Sequence, residues 1–164
     1  MMSSWNKRPI EVAHLLNPAF CSVILRESIL GYKEETNTGM PYVLSFLVLP
    51  LVLHKSTRDI LPISISTKLH SWVHKNQYVR VGLDKRAQHL GLYTREAIIF
   101  SIRLEIIHIS ENGQLNVSQK KCKRLELPSS SEPVICQKKA YFVGRWFART
   151  GDPAIIFAML GVKP

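Results

Sequence analysis

Acidic side chains and cysteine are both scarce in this chain. Twelve Asp and Glu stand against 22 Lys and Arg in 164 residues, a formal net charge of +10 at pH 7. A surface so short of carboxylates favours acidic partners, either nucleic acid or an acidic protein face. The three cysteines, Cys21, Cys122 and Cys136, are odd in number, widely spaced and free of any C-x-x-C pair. That excludes a disulfide framework and a zinc ribbon, and a reducing cytoplasm is the expected setting. No apolar run reaches the ~20 residues of a spanning helix. The most apolar window, residues 42–53, contains Pro50 and gives way to His54 and Lys55, so it reads as a buried helix. Residues 1–8 carry no apolar core or small-residue cleavage site, and export is not expected. The phosphate-binding patterns G-x-x-x-x-G-K-[ST] and G-x-G-x-x-G and the nucleophile elbow G-x-S-x-G are absent as well, which removes three common enzyme classes.

What is present suits one folded domain. Apolar residues make up 46% of the chain, and a chain of about 150 residues hides roughly 68–70% of the surface its unfolded form exposes. Three parts are expected within it: a helical part over residues 1–62, a part with a hairpin over 63–127, and closing helices over 128–164. A mean hydropathy of +0.01 is high for so charged a chain and suggests apolar surface covered by another protein. The positive charge is spread along the sequence, with one dense cluster at Lys120, Lys121, Lys123 and Arg124. The cluster is a candidate contact for phosphate or for a partner, against the plainer reading of a solvated loop.

Apolar residues at 10, 12, 13, 15 and 16 give a short helical pattern, which Asn17 and Pro18 interrupt and restart as cap and first residue. Helix is expected over residues 19–32, a loop over 33–39, and the apolar helix from Met40-Pro41 onward. Beyond Pro62, Ser66 is a candidate cap for a helix with Leu69, Trp72 and Val73 on one face. A short helix over 83–90 closes at Gly91, and Thr94 can cap another over 95–104. A hairpin follows. Glu111-Asn112-Gly113 as a three-residue loop, with Gly113 left-handed, pairs Ile109 with Leu115 and Ile107 with Val117, placing four apolar residues on one face. A two-residue Asn-Gly loop would scatter them over both faces. Residues 119–132 read as a basic strand or loop and a polar connector. Pro133 then opens a helix with Ile135, Phe142, Val143 and Trp146 on one side and Gly151 as its stop, and Asp152 and Pro153 start a last helix that ends at Gly161. The class is mainly α with a small β-hairpin wing, a winged helix-turn-helix-like α+β single domain.

Chemistry is hard to place on these elements. His70 and His74 stand four apart on a helix, a spacing that can share a metal, but position 71 is Ser and the Glu of H-E-x-x-H is missing. No carboxylate pair falls in a shared cleft, and no catalytic residue, metal ligand or cofactor-binding residue is assigned. Gly144 reads as a close-packing position rather than a phosphate loop. The helix over 95–104 has only Arg95, Glu96, Ser101 and Arg103 as polar residues, too few to read base edges, and so faces protein better than DNA. Trp72, Trp146 and Phe157 are candidate anchors for a partner, against a plain role in the core. Arg145 and Lys163 join the basic cluster as candidate contacts for DNA or a partner.

Three stretches carry a resemblance: Leu15-Leu16-Asn17-Pro18-Ala19-Phe20-Cys21; the run from Tyr42-Val43-Leu44-Ser45-Phe46 to Leu53-His54; and Gly144-Arg145-Trp146-Phe147-Ala148 with Gly151-Asp152-Pro153-Ala154 and Gly161-Val162-Lys163-Pro164. Together they resemble the middle component of bacterial three-component ABC systems, the group that includes the small subunit of Lamassu-type defence. Lys163 stands where the family often has arginine, which keeps the charge and loses bidentate geometry. The resemblance implies a cytoplasmic accessory subunit, associated with DNA in a bacterium, that binds an SMC/Rad50-like ABC ATPase and an effector, commonly a nuclease. It would hold the effector inactive until foreign DNA from phage or plasmid is sensed. A free-standing winged-helix DNA-binding regulator is the main rival, and a small metal-dependent hydrolase a distant third.

Overall fold

The computed structural model describes residues 16–119 and 126–164. The helix expected over 8–16 and the basic cluster at Lys120, Lys121, Lys123 and Arg124 therefore lie almost wholly outside the described residues. The first described helix, α1 (Pro18–Thr36), starts as the sequence predicts. Asn17 Oδ1 accepts the Ala19 N–H at 2.8 Å and Pro18 takes the first position. It runs four residues past the expected end, through the predicted loop. Thr36 Oγ1 donates to the Tyr32 carbonyl at 3.0 Å, and Asn37 closes the helix at φ 57°.

Met40-Pro41 does not open a helix. These two residues form a strand, β1 (Met40–Pro41), and the apolar segment then turns through a 3-10 helix (Tyr42–Leu44) into α2 (Ser45–Val52). α2 is buried at Leu47, Val48, Leu49, Leu51 and Val52, as a segment without a polar face requires. A single turn, α3 (Lys55–Asp59), follows where no helix was expected, and α4 (Leu69–Lys75) buries Leu69, Trp72 and Val73 on one face as predicted. The cap position of α4 is Lys68 rather than Ser66, whose hydroxyl lies 2.6 Å from that of Ser64 instead.

The larger correction concerns residues 83–104. They form one helix, α5 (Leu83–Arg103), with Gly91 in its interior. A glycine inside a helix weakens it by only about 1 kcal/mol, and the buried side of α5 outweighs that local preference. Thr94 does not cap, because its hydroxyl donates to the Leu90 carbonyl at 3.1 Å, one turn back in the same helix. The hairpin is therefore preceded by α4, a 3-10 turn (Gln77–Arg80) and one long helix.

The hairpin itself has the predicted register: β2 (Ile107–Ile109) and β3 (Gln114–Val117) pair antiparallel with Ile107 opposite Val117 and Ile109 opposite Leu115, and Gly113 sits at φ 71°. β1 adds to the other side of β3, giving a three-stranded antiparallel sheet in the order β1-β3-β2 that the sequence did not announce. Ile107 and Leu115 are buried, whereas Ile109 at the hairpin end is exposed. Two helices complete the fold, α6 (Glu132–Thr150), stopped by Gly151, and α7 (Pro153–Leu160), capped by Asp152 Oδ1 on the Ala154 N–H at 2.8 Å. The described residues are thus mainly helical with one small antiparallel sheet.

α1 and α6 form the main helix pair, and they touch backbone to backbone. A Cβ on Gly144 would stand 1.9 Å from the Ser28 carbonyl oxygen, and one on Gly31 would stand 2.1 Å from that of Tyr141. Gly144 is the close-packing glycine the sequence suggested. Beside this crossing, Trp72 and Trp146 meet edge to face at 5.2 Å, with indole N–H groups donating to the carbonyls of Ile60 (2.9 Å) and Thr67 (2.6 Å).

Candidate functional site

α5 has two unlike sides. At 100° per residue, Leu83, Ala87, Thr94, Ala97, Ile98 and Ser101 fall on the buried side. Gln88, Leu92, Arg95, Ile99 and Ile102 fall on the outer one. Leu92, Ile99 and Ile102 are 40%, 46% and 40% exposed, so a helix with one face in the core presents a second apolar stripe to solvent. The stripe adjoins a groove of about 410 Å³, walled by Gln88, Gly91 and Arg95 of α5, by Tyr42, Val43 and Phe46, and by Val162-Lys163-Pro164.

The sequence builds this groove by local means. The Phe46 ring lies beside Gly91, and Tyr42 meets it edge to face at 5.3 Å while the Arg95 guanidinium covers it at 5.5 Å. Val43 projects from the 3-10 turn and is 43% exposed. The chain end is fastened alongside: Val162 is buried, and the Lys163 N–H donates to Asp84 Oδ1 in the first turn of α5 at 3.1 Å. Apolar side chains in the middle with lysine and arginine at the rim make a surface suited to another protein chain.

Residues 5–164 match the family described as ABC-three component (ABC-3C) system Middle Component 3. The chain belongs to this family. No curated protein and no solved structure matches it.

Of the residues singled out in this middle component from sequence, Lys163 and Phe157 are found at the groove, Lys163 exposed at its rim and Phe157 buried in its wall. Arg145 is engaged within the chain. Its Nε donates to Glu35 Oε1 at 2.7 Å, and Arg149 Nε donates to Glu35 Oε2 at 3.0 Å, so that α1 and α6 are clamped beside their crossing. These hydrogen bonds hold the Glu35 carboxyl below its ordinary range. Trp72, Trp146 and Phe157 are buried at 4%, 1% and 5% exposure, which matches the plain role in the core that the sequence also offered. His70 and His74 are exposed, and among the described residues no group of three or more His, Cys, Asp or Glu could hold a metal ion.

A second hollow, about 570 Å³, lies between Phe20, Leu53, Leu90 and Pro133 with His54, Arg58 and Arg86 in its wall. Its polar groups serve the fold. Arg58 donates to the Val52 carbonyl at 2.9 Å and to Glu132 Oε1 at 2.6 Å, tying α3 to the start of α6. His54 Nδ1 lies 2.8 Å from Thr57 Oγ1 in the first turn of α3, and burial, helped by the nearby Arg86 charge, pushes its pKa down.

Leu92, Ile99 and Val43 were not singled out from sequence. The signal was the helical spacing of 92, 95, 99 and 102, visible only once residues 83–103 are read as one helix rather than two.

Proposed function

We propose that this middle component is an accessory subunit without catalytic machinery of its own, which joins an SMC/Rad50-like ABC ATPase to an effector nuclease in Lamassu-type defence against phage or plasmids. In this reading it holds the effector inactive until foreign DNA is sensed, in the bacterial cytoplasm and on the nucleoid. The observation that carries the reading is the outer side of α5. A helix already packed on one side keeps Leu92, Ile99 and Ile102 exposed beside the Val43–Phe46 groove, and such a patch marks a protein interface. Family membership supports a place in a multi-subunit complex.

The rival is a free-standing winged-helix DNA-binding regulator, with α5 as its groove-reading helix and β2–β3 as its wing. The apolar side chains on that outer side speak against it, since base edges are read by donors and acceptors.

Co-expression with the products of the neighbouring genes, with a tag on this subunit and purification in high salt, tests the proposal. Recovery of a large ATPase and an effector supports it, as does their loss from a Leu92→Asp/Ile99→Asp variant that keeps its helical spectrum. A lone monomer or homodimer that binds one duplex tightly refutes it. Charge reversal at Lys120, Lys121, Lys123 and Arg124 should weaken DNA association of the complex more than its assembly. Collapse of assembly with unchanged DNA binding would make that cluster a docking surface instead.

A further inference from the structure

Between Asp59 and Asp84 the chain has no carboxylate. Residues 60–83 hold Lys68, Lys75 and Arg80 with His70 and His74, and no Asp or Glu. In the fold this segment forms α4 and the following 3-10 turn, packed beside α7. α4 turns Leu69, Trp72 and Val73 inward and leaves His70, His74 and Lys75 exposed, as are Lys68 and Arg80. Among the described residues, none of Lys68, Lys75 and Arg80 is in an ion pair.

Two open grooves meet here. One, about 450 Å³, has Lys68 and His70 in its wall together with Arg149, whose charge Glu35 already meets, and the other, about 590 Å³, has His70, His74 and Arg80. They share His70 and Met159, so they run into each other, and no carboxylate lines either. Arg80 is seated rather than free to swing: its guanidinium lies against Gly161, where an added methyl would come within 2.9 Å of its nitrogens. On the same 3-10 turn, between the groove-lining Gln77 and Arg80, Tyr78 is 61% exposed, its ring outside the walls of both grooves.

We infer that this trough binds single-stranded nucleic acid, its cations following the phosphates and the Tyr78 ring stacking on a base. Concave basic grooves with an exposed aromatic suit a flexible strand, whose bases are free to stack, better than a duplex, whose bases are not. The plainer account is a solvated basic face, and counterion release separates the two. The inference stands apart from partner docking, because the trough uses neither α5 nor the residues 42–46.

The test is fluorescence anisotropy of the intact chain with an oligothymidylate of about 16 nucleotides, the upper end of a single-strand site, over a salt series. Lys68→Gln/Arg80→Gln should weaken binding about tenfold and reduce the log–log salt slope by about 1.4, since each phosphate contact on a single strand contributes roughly 0.7. Tyr78→Ala should weaken oligothymidylate binding about tenfold with the slope unchanged, the signature of a lost stack. Lys33→Gln/Lys138→Gln, an equal charge change on α1 and α6, should cost less than about threefold. Equal losses from the two double substitutions, an unchanged slope, or tighter binding of a duplex of the same length would each overturn the inference. Thermal melts of all variants separate these outcomes from misfolding, and the co-purified complex reports the docking reading independently.

Discussion

Gly144→Ala should destabilise the fold although alanine is the better helix former. The new methyl would stand 1.9 Å from the Ser28 oxygen and 2.7 Å from its carbonyl carbon. Ordinary contacts to carbon begin near 3.5 Å, so α1 and α6 must separate by about 1.6 Å. Both offending groups are backbone and neither can rotate away. Overpacking a core costs typically about 1–3 kcal/mol, and a clash between two helix backbones belongs at the upper end. Alanine returns about 1 kcal/mol of helix propensity, leaving a net loss of about 2 kcal/mol. For a chain of this size that lowers Tm by roughly 4–8 °C. Gly91→Ala is the matched control. Its methyl would meet only the Phe46 ring edge at 3.8 Å, an ordinary contact, so the propensity gain stands and Tm should rise by about 2–4 °C. Thermal and urea melts followed by far-UV circular dichroism give both signs. Equal effects from the two substitutions, or a neutral Gly144→Ala, would refute the backbone-contact reasoning.

Burial pushes the Cys21 thiol up to about 12, with the nearby Glu96 charge adding to the shift, and burial raises Cys136 too. Peptide mapping after alkylation at pH 8 should leave both unlabelled in the folded chain and label both in urea. Glu35, held below its ordinary pKa by Arg145 and Arg149, contributes stability above the unfolded carboxyl range, about pH 4.3, and loses it as pH falls through the folded value. Glu35→Gln should therefore flatten the acid side of the stability profile, read as urea midpoints at neutral and acid pH, and an unchanged slope would remove the clamp from the account. Deleting residues 161–164 removes the groove wall and the Lys163–Asp84 bond. Lower thermal stability or failed complex formation is expected, and a truncated chain normal in both would show that the tail is dispensable.

Local signals were legible wherever a few neighbouring residues decide the outcome. Asn17-Pro18 and Asp152-Pro153 start helices with the hydrogen bonds those residue types predict, and the hairpin register follows from the alternation around Gly113. Errors arose where a distant residue overrides a local preference. Gly91 and Thr94 read as stop and cap, but the packed side of α5 carries the helix through Gly91 and the Leu90 carbonyl takes the Thr94 hydroxyl. Met40-Pro41 reads as a helix start, yet Met40 lies opposite Leu115, 75 positions away, a pairing no local window contains. The outer apolar stripe of α5 was hidden by the same helix break. Trp72 and Trp146 fall on apolar helix faces in the sequence, and an apolar face alone does not distinguish a core from a contact.

Both indoles reach for main-chain oxygens, at Ile60 and Thr67, and every amino acid supplies one. The segment between those two carbonyls is held like a handle fixed at its ends and by the buried Leu61, while its grip, from Ile63 to Ser66, owes the fold little through its side chains: Ile63 stands fully in solvent. Such a handle can be rewritten without disturbing its mounting. It borders the cationic trough, so it is where relatives with different ligands could differ most in sequence while keeping one architecture.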